Sequence, residues 1–188
     1  MNDLLAELTS GDELRAEAAV HKIIALGEEV IPALLDLAHS QEADHRWWAI
    51  RTLAQSPHTR TEDLIPFLSD SACEVRAAAA LALYSHPAEA AIPALINLLS
   101  DEDSLTAYLA GNALIAIGAL STPALLQVLK EAKQNARIQA MRALAEICDH
   151  RAIPAMMKAM DEDSVLLQHW AKEGLERLGL NMVYVKLS

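Results

Sequence analysis

A period of 30 to 31 residues runs through this chain and limits what it can become. The segments "RAEAAVHKIIALG", "HRWWAIRTLAQSP", "VRAAAALALYSHP", "TAYLAGNALIAIG", "ARIQAMRALAEIC" and "QHWAKEGLERLG" align in one register. An alanine recurs at Ala19, Ala49, Ala79, Ala110, Ala140 and Ala171, at spacings of 30, 30, 31, 30 and 31. Four residues on comes Ile23, Leu53, Leu83, Leu114, Leu144 or Leu175. Four further comes Gly27, Pro57, Pro87, Gly118, Cys148 or Gly179, the chemistry of a helix stop in five positions of six. A fixed repeat of this length means stacked supersecondary units, each too small to bury its own apolar face.

After each stop a second apolar run begins: "IPALLDLAHS", "TEDLIPFLSD", "IPALINLLSD", "TPALLQVLKE" and "IPAMMKAMDE". Pro32, Pro93, Pro123 and Pro154 share a column in the first turn, where a missing N–H is harmless. The second repeat departs from this, with Glu62 in the column behind an expected Thr61 cap. There Pro66 falls mid-helix, where it should kink or shorten the segment. The unit is helix, tight turn, helix, polar loop. The alanine, the leucine four on and the apolar residue seven on (Leu26, Ile117, Ile147, Leu178) share one helical face. The expected fold is all-α: a right-handed α-α superhelix, a HEAT/armadillo-like solenoid of five to six helix pairs. One domain over 1–188 is expected, with a cap helix in 1–10, repeats over 11–179 and a cap or tail over 180–188 that offers Met182, Val183, Val185 and Leu187 to the last repeat.

The acid runs "DEDS" at 101–104 and 161–164 fall in the loop joining one repeat to the next, where acids cap and complement helix N-termini. At the equivalent joint "SDSACEV" Ser71 and Glu74 have capping-box spacing. No glycine follows either acid run as a calcium loop demands, so no metal is expected.

Composition agrees with helices, since 53% of residues are apolar and Ala and Leu supply most of them. The net charge of -11 is uneven: residues 1–94 carry 15 acids against 6 bases, and residues 95–188 carry 11 against 9. That balance disfavours nucleic acid and anionic membrane as partners, both of which need Lys and Arg on phosphate. A protein partner is expected, and no cofactor is called for. Cys73 and Cys148 form no CxxC, "MNDLLAEL" lacks a basic n-region, and the most apolar stretch is broken by Ser121, Thr122 and Pro123; a reducing, cytoplasmic setting follows.

The motif "EVRAAAALAL" behind "SDSAC", together with "AIPALINLLSDED", resembles the HEAT-like repeats of the phycobilisome-lyase type, over about Ser10 to Gly179. That family's pattern is an acidic loop, a Val-Arg pair, an Ala-rich first helix ending in Gly, and an Ile-Pro-Ala-Leu second helix. Here Val75-Arg76 keeps the pair, Arg46 and Arg137 keep the arginine, and Ala107 and Gln168 replace it. The resemblance implies several functions: bilin lyase subunits, phycobilisome-degradation factors, protein-binding scaffolds, an iron hydroxylase and DNA glycosylases. No His here precedes a Glu, which sets the hydroxylase aside, and the charge opposes the glycosylase. A non-catalytic scaffold binding protein through its concave face is the leading reading. A lyase subunit or degradation-like factor acting on bilin-bearing proteins is the alternative.

Solenoids bind along the surface of their second helices. Four residues after the proline column stand Asp36, Pro66, Asn97, Gln127 and Lys158; seven after it stand His39, Ser69, Ser100, Lys130 and Asp161. From these stripes Asp36, His39, Asn97, Gln127, Lys130 and Lys158 are candidate partner-binding residues, against the alternative of a solvated helix face. Trp47 is the seventh candidate: an indole beside Arg46 and Arg51, in the column of Tyr108 and His169, has hot-spot composition. Packing between repeats is its competing fate, as it is the expected one for Trp48. The pairs Asp36/His39 and Cys148/His150 lack a third partner, so no catalytic residue is assigned; Cys73 near a helix N-terminus is a small half-buried residue or a reactive thiol.

Overall fold

The computed structural model describes residues 2–162 and 164–180, and these form helices and turns without a strand. The helices are α1 (Asn2–Leu8), α2 (Glu13–Ile24), α3 (Ile31–Leu37), α4 (Ala43–Gln55), α5 (Thr61–Leu64), α6 (Cys73–Ser85) and α7 (Ile92–Leu98). They continue as α8 (Ser104–Ile117), α9 (Thr122–Glu131), α10 (Gln134–Ile147), α11 (Ile153–Ala159) and α12 (Val165–Arg177). Two compact units result, residues 1–94 and 95–188, divided within α7. Apart from Leu180, the expected C-terminal cap lies outside the described residues.

In the N-terminal unit α1 packs on α2, the first helices α2, α4 and α6 follow one another, α3 lies on α4, and α5 lies on α6. In the C-terminal unit α8, α10 and α12 follow one another, with α9 on α10 and α11 on α12. Each second helix thus packs on the first helix of the next repeat. The register explains this stacking. All six alanines of the recurring column are 0% exposed, and the apolar residues four on are 0–2% exposed. A methyl side chain at each crossing lets helices approach closely, and the larger residue one turn on fills the space beside it. At Gly174 even a methyl is too large: an added Cβ would lie 3.0 Å from the Ala145 Cα of α10.

The stop column works by backbone geometry. Gly27, Gly118 and Gly179 adopt φ of 77–79°, and Cys148 takes the same role at φ 55°, ψ 38°. A non-glycine residue there carries steric cost, and Cys148 Sγ donates to the Ala145 carbonyl at 3.3 Å. Pro57 and Pro87 end their helices differently, by following a residue outside the helical region, extended Ser56 in one case and His86 at φ -125° in the other. Leu26 is a correction: it is 45% exposed because α2 ends at Ile24 and the chain turns before the shared face reaches it. Pro66 acts as expected, since α5 stops at Leu64 and a 3₁₀ turn, Ile65–Ser69, completes the segment.

The joints are where the arginine column acts. Arg46 Nη1 donates to the carbonyls of Ser40 and Gln41, Arg76 Nη1 to those of Asp70 and Ser71, and Arg137 Nε to that of Leu129. Gln168, which lacks the guanidinium, donates to the Glu162 carbonyl instead. Each satisfies carbonyls left open where a second helix ends. Arg46 and Arg137 also reach forward to an acid of the next joint, pairing with both oxygens of Asp70 at 2.7 and 2.8 Å and of Glu162 at 2.6 and 2.7 Å. The acid runs punctuate, as expected: Asp103 accepts from Thr106 N at 2.7 Å and Asp101 from Asp103 N at 2.9 Å. Two expected caps are corrected. Ser71 stands before Ala72, the N-cap of α6, and Asp70 accepts the Ala72 amide in its stead; Thr61 is inside α5 and its hydroxyl donates to the His86 carbonyl.

Two outcomes follow from this packing. In urea denaturation Leu83→Ala should lower stability by about 2–5 kcal/mol through the cavity it leaves, and Ala79→Leu by about 1–3 kcal/mol through overpacking. Ala18→Leu, at an exposed position of α2, should change stability by less than about 0.5 kcal/mol. The second concerns acid. Burial pushes the Asp70 carboxyl up, but the hydrogen bonds of Arg46 and the Ala72 amide and the charges of Arg46 and Arg76 outweigh it and hold Asp70 below the usual carboxylate range. A depressed folded-state value gives stability that is complete above the unfolded carboxylate value near about 4 and is lost as pH falls below it. Asp70→Asn should therefore cost about 2–3 kcal/mol at pH 7. Its denaturation midpoint should fall less steeply than the parent's between neutral pH and pH of about 3.

Candidate functional site

The face that second helices leave to solvent is set by rotation. At about 100° per residue, positions four and seven after the proline column return to the proline's own side. Pro32, Pro93, Pro123 and Pro154 are exposed, and so are Asp36, Asn97, Gln127 and Lys158 at the fourth position and His39, Ser100, Lys130 and Asp161 at the seventh. The residues two after the proline, Leu34, Leu95, Leu125 and Met156, point the other way and are 0% exposed.

In the C-terminal unit this face is not flat, because the short α11 and the longer α9 leave a cleft of about 600 Å³ between them. Leu126, Leu129, Met141 and Pro154 make its wall apolar, while Lys130, Arg151 and Lys158 supply positive charge. The charges differ in freedom. Arg151 is tied to the Asp149 carboxylate and donates to the Ala119 carbonyl at 2.5 Å, and those hydrogen bonds hold Asp149 well below the usual carboxylate range. Arg137, also on the cleft, is neutralised by Glu162. Lys130 and Lys158 make no ion pair among the described residues. On the other side of α9 lies a second concavity of about 520 Å³, where Asn97, Ser100 and Gln127 stand over Ile96 and Val128. Gln127 is bonded there to Glu131 one turn on.

The structure thus brings Asn97, Gln127, Lys130 and Lys158 onto two concavities flanking one helix. Asp36 and His39 belong to the N-terminal unit, and neither lines a cavity described here. His39 is tethered, its Nδ1 donating to the Leu35 carbonyl at 2.7 Å and its ring edge-on to Phe67 at 5.4 Å. Trp47 is half-buried, T-shaped against Trp48 at 4.8 Å, with the Arg51 guanidinium 5.5 Å from its ring centre; packing claims much of the indole. Trp48 is buried as expected. Sequence reasoning did not single out Arg151. Its signal was position: three residues past the stop column, a long side chain can reach back over the preceding turn. Among the described residues no three His, Cys, Asp or Glu side chains are placed to hold a metal ion, and no helix is long and apolar enough to cross a membrane.

Comparison with known proteins agrees with this architecture. Residues 61–135 match the model of HEAT repeats, and residues 136–162 match that of the PBS lyase HEAT-like repeat. A phycobilisome maturation protein of Synechococcus elongatus is 37% identical over 105 residues, which cover 55% of this chain and 50% of that protein. The match therefore spans about half that relative's length. Among solved structures, the complex of CpcE and CpcF of phycocyanin lyase from Nostoc is similar at a TM-score of 0.59 and 24% identity, over 76% of this chain and 96% of that one. A designed armadillo repeat protein in complex with the peptide (KR)4 is similar at a TM-score of 0.53 and 20% identity, over 94% of this chain and 98% of that one. At these identities the two structures speak to the fold alone, an all-helical solenoid of HEAT and armadillo type.

Proposed function

We propose, from the premise that this chain is a HEAT-repeat protein carrying a PBS lyase HEAT-like repeat, that it binds a bilin-bearing protein during phycobilisome maturation. It does so as a scaffold, through the second-helix face of its C-terminal unit. The observation that carries this is the cleft between α9 and α11, where two unpaired lysines stand over an apolar wall in a chain related to a phycobilisome maturation protein. Apolar area supplies affinity, and two mobile ammonium groups at the rim favour an acidic surface and speed its approach. The tied Arg151 and the Arg137–Glu162 pair keep that rim in shape. A general scaffold with no defined partner, the broader reading of the sequence, leaves the relationship to a maturation protein unused.

A second reading, a lyase subunit handling the bilin itself, is favoured by the cleft's volume of about 600 Å³. That lies within the range of about 300–1,000 Å³ usual for small-molecule sites, and the carboxylates of a bilin would suit the same lysines.

Purified phycocyanin titrated with the full chain tests the proposal. Binding in the micromolar range is expected, weakened about tenfold or more by Lys130→Glu with Lys158→Glu, both exposed positions whose change leaves the fold intact. Failure of the parent chain to bind, or equal binding by the double variant, overturns it. Free phycocyanobilin separates the two readings: the scaffold leaves its visible absorption unchanged, and a shifted band that the lysine variant abolishes establishes the lyase reading.

A further inference from the structure

The N-terminal unit holds a cavity that the reading above does not use. It runs along the starts of three successive first helices, where Glu13 opens α2, Asp44 is the second residue of α4 and Glu74 the second of α6. Its volume is about 630 Å³, and the three carboxylates share its walls with Trp47 and Trp48.

Acids at helix starts are ordinary, because the helix dipole favours them there. Two further observations set this group apart. Elsewhere in the unit the acids find cations: Glu7 pairs with Lys22, Glu17 with Arg51, Asp63 with Arg60 and Asp70 with Arg46. Glu13, Asp44 and Glu74 make no ion pair or side-chain hydrogen bond among the described residues, and they do not gather closely enough to hold a metal ion. The second observation is the indole pair. Trp47 and Trp48 brace each other at 4.8 Å, and Arg51, itself fixed on Glu17, lies 5.5 and 5.8 Å from their ring centres. Trp48 is only 6% exposed and lines the cavity, yet its indole N–H donates to no acceptor among the described residues. A donor that deep ordinarily has a partner.

We propose that this cavity receives an arginine-bearing peptide segment of a protein partner. The guanidinium sits among the three carboxylates and against Trp47, and a backbone carbonyl of the same segment accepts from the Trp48 N–H. The cavity asks for a cation and an acceptor together, which a peptide supplies and a free ammonium or metal ion does not. Arginine suits it better than lysine, because a planar fork both stacks on indole and divides its donors among several carboxylates. The 15 acids against 6 bases in residues 1–94 draw such a segment in from a distance.

The test is titration of blocked tetra-arginine peptide into the full chain at physiological ionic strength, followed by calorimetry and tryptophan fluorescence. This site is independent of the second-helix face, so the result stands whether or not phycocyanin binds. Saturable binding is expected, with a fluorescence change that persists in Trp170→Phe and so reports Trp47 and Trp48. Asp44→Asn with Glu74→Gln should weaken it about tenfold, while Glu28→Gln with Glu29→Gln, equal in charge and in the same unit but off the cavity, should change it less than about twofold. Blocked tetra-lysine should bind several-fold more weakly than tetra-arginine. Equal weakening by both double variants would reduce the effect to general attraction by an acidic protein and overturn the site. No binding, or lysine binding as well as arginine, overturns it as well.

Discussion

The contact on which both units depend is helix against helix at an alanine. Six such residues, one per repeat, are wholly removed from water. Their small size lets the leucine or isoleucine one turn on reach its neighbours and be buried to the same degree. Two sites in the C-terminal unit take the demand further. Gly174 stands where a methyl would meet the backbone of α10, and Gly111 where it would come within 2.5 Å of Arg142 Nη2. The Arg142 guanidinium, lowered in pKa by burial, is satisfied by Gln139, Asn112, the Tyr108 carbonyl and the Tyr108 ring at 4.3 Å. Closeness at the crossing leaves no freedom in the inner columns. Variation is confined to what faces outward.

The joints perform the second task, fixing the interval between crossings. An arginine that caps the carbonyls of one second helix and grips an acid of the next joint makes two repeats agree on spacing, as Arg46 does with Asp70 and Arg137 with Glu162. Gln168 shows which half of the task is needed: it retains the carbonyl contact and gives up the charge. The column therefore tolerates loss of the ion pair more readily than loss of the donor.

The inner columns were legible in the sequence because a period fixes a face, and a face repeated at one interval has to be the buried one. The stop column was legible for a similar reason, and it extended to Cys148, whose backbone takes the glycine-like conformation that its place in the register calls for. Helix starts and ends were less legible. Ser71 had the spacing of a cap, but Asp70, already gripped by Arg46, was better placed to accept the next amide. Leu26 had the spacing of a buried residue, but its helix had ended. Both outcomes turn on one or two residues of helix length, which hydrogen bonds across the joint decide and a pattern along the chain does not record.

The same distinction governs the candidate surface. That positions four and seven after the proline face solvent is rotation about one axis, and the sequence carries it. That Lys130 and Lys158 overlook one cleft while Asp36 and His39 line none depends on how two neighbouring second helices are spaced, which no single column contains. Arg151 joins the cleft through the turn it spans, and Trp47 is drawn half inside by Trp48 and Arg51. A repeat whose inner columns are held by packing and whose joints are held by arginine has only its outward columns in which to differ. In this chain those columns place lysines over apolar surface in one unit and carboxylates beside indoles in the other. Two surfaces of opposite charge are what a protein needs to tell the acidic part of a partner from the basic part.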